Sequence, residues 1–197
     1  MSNKMLRGLA AAFCLAVVSV GPAHADGNNP VGTWLITVTF PDNPAGPPAP
    51  PPFKEFLTLH HNGTLTETNT TLHAHPVPGS PLAITASEGF GAWERAPGGL
   101  VHFTFLKPVF CGPEFDGGTF FVLGTVLQAP PPYDCSVPNL HLGYLRVRAQ
   151  ATFSGDSYSG GESWTELRVG PDPDAPLAVL PFGAAASEGK RIRVSAN

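Results

Sequence analysis

The chain has 197 residues, which is one domain's worth once a targeting segment is set aside. Only 13% of residues are charged and the net charge is −4, so there is no electrostatic basis for gripping a nucleic-acid backbone. With 22 glycines and 23 prolines the chain is too turn-rich for a helical bundle, it has no Gly-X-Y period, and its 42% apolar content suffices for one core.

Residues 1–25 read as a secretory signal peptide. Lys4 and Arg7 precede the apolar run Leu9 to Val20, and Ala23-His24-Ala25 offers an A-x-A cleavage site. The run is too short to span a bilayer, and no later stretch approaches the length a span needs. The mature chain is expected to start at Asp26, to be secreted or periplasmic, and to form a single domain over residues 26–197.

Apolar alternation and turn chemistry then mark strands in order. Thr33 to Phe40 sets Trp34, Ile36, Val38 and Phe40 on one face. A Pro-rich loop, Asp42 to Pro52, leads to Phe53 to His61. Asn62-Gly63 is the strongest two-residue hairpin signal and returns the chain as Thr64 to Leu72. Ser87 to Arg95 turns through Ala96-Pro97-Gly98-Gly99 into Leu100 to Leu106. Thr119 to Gln128 is the sixth strand, ended by Pro130-Pro131-Pro132. Gly143 to Phe153 and Tyr158 to Val169 flank Ser154-Gly155-Asp156, and a Pro/Ala-rich stretch precedes a short ninth strand, Lys190 to Val194. Eight long strands joined mainly as hairpins predict an all-β, antiparallel, up-and-down eight-stranded barrel, with a two-sheet sandwich as the alternative.

Loss of the signal segment removes Cys14 and leaves Cys111 and Cys135. An even pair in an exported chain reads as one disulfide between two Gly/Pro-rich segments. It closes a loop of about 25 residues, worth roughly 3 kcal/mol in the chain-entropy model.

Asn29-Pro30-Val31-Gly32-Thr33-Trp34 resembles the lipocalin opening, Gly-x-Trp on the first strand. In that family the Trp closes the barrel floor and an Arg near the chain end packs across it; Lys190-Arg191-Ile192-Arg193 supplies such an Arg. The helix that lipocalins carry after the barrel is replaced here by Pro171 to Ala186, so the resemblance implies a calycin-like barrel rather than a lipocalin proper.

Barrels of this size hold one small ligand, so the inward side chains matter most. If Leu65 faces in, Glu67 and Asn69 share its face; if Leu57 and Leu59 face in, so does His61. Glu67 with His61 is the candidate acid–base pair, the alternative being a solvated rim beside the turn. Gly89 and Gly91 suggest cavity space beside Trp93, and Phe103 with Phe105 should face in, leaving His102 and Thr104 outside. Tyr144, Arg146, Arg148 and Gln150 form a polar stripe, read as a solvated exterior; facing inward it would bind an anionic ligand, with Glu162 and Glu166 as natural cross-strand partners. His73 and His75 read as loop histidines, and Glu114 with Asp116 as a polar turn; no metal site is expected. Nucleophile elbows, P-loops and dinucleotide fingerprints are all missing, and no cofactor is implied.

The reading favoured by these residues is a secreted barrel that binds a small apolar molecule among Trp34, Phe40, Phe56, Asn69, Trp93, Phe103, Phe105 and Phe121. Such a binder should have no charged pair in its depth. The alternative is a cofactor-independent lyase, isomerase or cyclase acting on an epoxide- or terpenoid-like substrate, with Glu67 and His61 catalytic. Calycin-like barrels include the allene oxide cyclases, which this chain resembles in architecture and size alone. That alternative predicts an acid or imidazole of perturbed pKa deep inside. A protein-interaction module using the Pro-rich loops is the third reading.

Overall fold

The computed structural model describes residues 27–41, 51–70, 84–111, 119–122, 125–128 and 140–193. They form β1 (Gly32–Thr39), β2 (Phe53–Leu59), β3 (Thr64–Asn69), β4 (Ile84–Ala86), β5 (Gly89–Arg95), β6 (Leu100–Cys111), β7 (Thr119–Val122), β8 (Thr125–Gln128), β9 (His141–Ser154), β10 (Ser157–Val169) and β11 (Ala178–Arg191). A single 3-10 turn, Pro97–Gly99, links β5 to β6.

The main sheet runs β4-β6-β5-β3-β2-β1-β11-β10-β9, and β9 pairs with β6. That pairing closes eight strands into an antiparallel barrel in which each barrel strand pairs with the next, and β11 returns to β1. Closure removes the free edges an open sheet would present. The short β4 pairs with the end of β6 outside this ring.

The eight-strand expectation holds, but its membership differs. The sequence places a sixth barrel strand at 119–128; instead β7 and β8 pair with each other in a separate two-stranded sheet. The eighth barrel strand is β11, where the sequence offers only a short segment from Lys190. Its Ala and Gly residues have little strand propensity of their own. Pairing from β1 on one side and β10 on the other makes it a strand. Pro181 is accommodated at a bulge, where Thr165 pairs with Gly183 but Glu166 pairs with Pro181.

Inward side chains follow the pleat. Trp34, Ile36 and Val38 of β1 meet Leu57 and Leu59 of β2, Leu65 of β3, Val101, Phe103 and Phe105 of β6, and Ala151 and Phe153 of β9. Trp34 packs edge-on against Phe153 with centroids 4.8 Å apart, and Phe153 packs against Tyr158 at 5.3 Å.

The Gly-x-Trp motif at the start of β1 meets the end of β11, where Trp34 registers with Arg191. Trp34 Nε1 donates to the Pro30 carbonyl at 2.8 Å. The Arg191 guanidinium lies 4.3 Å from the Trp34 ring centroid and donates to the carbonyls of Val31 and Asn29. Gly32 has φ +132, and a Cβ there would stand 2.6 Å from an Arg191 nitrogen. The glycine is therefore needed twice, for its backbone angle and for the space the guanidinium takes.

Candidate functional site

The chemically notable groups lie inside the barrel. Alternation on β2 puts Glu55, Leu57 and Leu59 on one face; on β3 it does the same for Leu65, Glu67 and Asn69. On β6, Phe103, Phe105 and Lys107 all point inward. Glu67 is 2% exposed, Lys107 0% and Glu55 8%.

Glu67 Oε2 lies 2.6 Å from Lys107 Nζ, while Asn69 Nδ2 donates to Glu67 Oε1 at 3.0 Å. β5 runs between the strands that carry this ion pair. Glu67 registers with Gly89, where an added Cβ would meet Glu67 Oε2 at 2.8 Å and Lys107 Cγ at 3.1 Å. The missing side chain is what lets glutamate and lysine meet across the strand. Gly91 is tighter still, with the Thr104 carbonyl oxygen 1.9 Å from its hypothetical Cβ. These glycines thus admit neighbouring groups, in place of the open space expected of them. Beyond their mutual contact, neither Lys107 Nζ nor Glu67 Oε2 has a hydrogen-bond partner among the described residues.

Glu55 registers with Asn69 across β2 and β3. Burial pushes its carboxyl up, the negative charge of Glu67 adds to this, and Lys107 offsets part of it; the result is a rise from 4.5 to about 8. At neutral pH Glu55 is a carboxylic acid with a proton to give. Tyr158 Oη and Ser187 Oγ are 3.0 Å apart, and burial pushes the Tyr158 phenol above its ordinary range, with Glu55 adding to the effect. The interior therefore holds a carboxyl whose pKa burial raises, a carboxylate bonded by a lysine and an amide, and buried aromatic side chains.

The expected site residues divide. Trp34, Phe103, Phe105, Glu67 and Asn69 are buried; Phe40 and Trp93 are partly buried against the core, and Trp93 Nε1 donates to the His60 carbonyl at 2.9 Å. Phe56 is 42% exposed on the outer face, because Glu55 and Leu57 on either side of it take the interior. His61 sits exposed in the β2–β3 turn, since β2 ends at Leu59, and the fold does not bring it to Glu67. Phe121 belongs to β7, outside the barrel sheet. Cys111 ends β6, while Cys135, His73, His75, Glu114, Asp116, residues 42–50 and 129–138 of the Pro-rich loops and the signal segment lie outside the described residues. Glu55 and Lys107 are the groups the sequence reading passed over. Each is two residues from an inward apolar residue, Leu57 and Phe105, and the parity rule applied to its end would have found both.

The polar stripe on β9 faces outward. Glu166 bonds Arg168 at 2.7 Å and Arg148 at 3.2 Å. Burial pushes the Glu166 carboxyl up, but the Arg168 hydrogen bond and the charges of Arg148, Arg168 and Arg146 outweigh it and hold it below the ordinary range. Arg168 and Arg146 also bond the Pro173 carbonyl, so this cluster pins the β10–β11 connection.

Among the described residues no three His, Cys, Asp or Glu side chains gather to hold a metal ion, and no helix is long and apolar enough to cross a membrane. Comparison with protein-family models, curated proteins and solved structures finds no match. The functional reading therefore rests on the site's own chemistry.

Proposed function

We propose that the barrel interior receives a small hydrophobic molecule carrying one oxygen function and rearranges it by acid chemistry, as a cofactor-independent lyase or isomerase of epoxide- or terpenoid-like substrates in an exported, calycin-like barrel. One observation carries this reading: the Glu55 carboxyl is buried inside the barrel beside the buried Glu67–Lys107 pair, where burial raises its pKa. A passive receptor for apolar molecules has no use for either, and an interior free of charged pairs is what that reading requires.

The step balances without a co-reactant. Glu55 gives its proton to the epoxide oxygen, the C–O bond breaks, and a hydroxyl and a carbocation form. The cation then loses a proton from a neighbouring carbon to the Glu55 carboxylate, which restores the acid and leaves an unsaturated alcohol. Glu67, bonded by Lys107 and Asn69, lowers the energy of the transient positive charge, as do the aromatic rings of Phe103 and Phe105.

Incubation of the protein with a panel of small cyclic epoxides, followed by gas chromatography, tests this. Rearranged alcohol is expected, with kcat lowered at least about a hundredfold in Glu55→Gln. Unchanged turnover in Glu55→Gln overturns the assignment. A second reading, binding without turnover, is favoured by the apolar remainder of the walls. Native mass spectrometry that finds a tightly held apolar molecule, together with no epoxide turnover, would establish it instead.

A further inference from the structure

We infer that the outer face of β5, β6, β9 and β10 carries a second site, a shallow groove for a neutral oligosaccharide, with Trp164 as its stacking platform. Trp164 is 45% exposed on the outside of the barrel and pairs across the sheet with Arg148 on one side and Ala184 on the other. The small alanine leaves that flank of the indole uncovered. From Trp164 a groove of about 610 Å³ runs over Arg148, Gln150, His102, Thr104 and Glu94. It continues into a depression of about 220 Å³ at Ala92 and Glu94 of β5 and His102 and Thr104 of β6. Four strands at a spacing of about 4.8 Å give a track roughly 14 Å long.

The register makes the groove regular. Arg148 faces Thr104, Gln150 faces His102, and His102 faces Glu94. Among the described residues none bonds the side chains of Glu94, His102, Thr104 or Gln150, so their donors and acceptors point to solvent. The bulge between Gly160 and Ser163 lies just before Trp164, a place where such irregularities re-aim side chains.

The composition selects the ligand class. A lone indole face attracts polarised C–H groups, and its neighbours supply donors and acceptors for hydroxyls. An anionic ligand is disfavoured, because Arg148 is already paired with Glu166 and Glu94 stands in the groove. A protein partner would need a broader apolar centre around the tryptophan. A sugar ring offers an apolar C–H face and a rim of hydroxyls, and matches both requirements.

Titration of the protein with cellohexaose, chitohexaose and laminarihexaose, read by tryptophan fluorescence and calorimetry, tests the inference. Binding of at least one is expected, weakened at least about tenfold in Trp164→Ala and less in Gln150→Ala, with unfolding midpoints close to the parent protein. Both variants leave the interior acid untouched, so epoxide turnover should be unchanged. Three results overturn it: no binding of any of the three at millimolar concentration, binding indifferent to Trp164→Ala, or binding of heparin alone that salt abolishes.

Discussion

Glu55 is the residue on which most of the interior chemistry turns, and its protonation has a cost that can be read as stability. Its carboxyl has a higher pKa folded than unfolded, so the folded state holds an extra proton between about pH 4.5 and 8. Stability therefore falls as pH rises through that window, with the full loss present above it and none below. Glu55→Gln keeps a neutral side chain of the same shape and removes this dependence. Urea unfolding should find the variant more stable than the parent near pH 9 and no more stable near pH 5; an equal difference at both would contradict the buried acid. Lys107 gives the complementary test. Lys107→Met strands the Glu67 carboxylate in the core and should cost about 3–5 kcal/mol. Adding Glu67→Gln should recover part of it, which a double-mutant cycle measures directly. Glu67 and Asn69 were legible because Leu65 set their parity. Phe56 was misplaced because two registers were open on β2, and only the outcome for Glu55, Leu57 and Leu59 decides between them.

At the scale of elements, β5 is the strand whose sequence is most tightly constrained. A methyl at Gly91 would meet the Thr104 backbone carbonyl at 1.9 Å, and a backbone atom cannot step aside without breaking the β5–β6 ladder. Gly91→Ala should cost more than about 4 kcal/mol. Gly98→Ala, in the 3-10 turn with open space around it and only a φ of +80 to strain it, should cost about 1 kcal/mol. Thermal unfolding of the pair gives the comparison; similar losses would contradict the close approach. The strands flanked by strong turn chemistry, β2 with β3 and β9 with β10, were readable from Asn62-Gly63 and Ser154-Gly155-Asp156. β11 was not, because Ala178–Arg191 has weak strand propensity and contains Pro181 and Gly183; its partners are distant in sequence and impose the conformation. The separate β7–β8 ribbon was hidden for the opposite reason, since strand-prone residues on both sides of one glycine read as a single long strand.

For the whole molecule, closure depends on the seam where β11 meets β1, and Arg191 secures it. Its guanidinium stacks on Trp34 and satisfies the Asn29 and Val31 carbonyls, joining the chain's last strand to its first. Arg191→Met should cost about 2–4 kcal/mol, from the lost ring contact and the orphaned carbonyls. A denaturant midpoint lowered at unchanged slope checks this; an unchanged midpoint would show the seam closes without it. The same closed barrel holds the Trp34–Arg191 contact, the buried Glu55 with the Glu67–Lys107 pair, and a polar outer face that carries Trp164. The protonation of Glu55 in that interior can be measured directly. The most direct measurement is a pH titration of the glutamate side-chain carboxyls by carbon-13 NMR, with Glu55→Gln to assign the signal. One carboxyl titrating near pH 8 and missing from the variant is the predicted result. Every glutamate titrating in the ordinary carboxylate range would show that Glu55 is not a neutral acid at physiological pH.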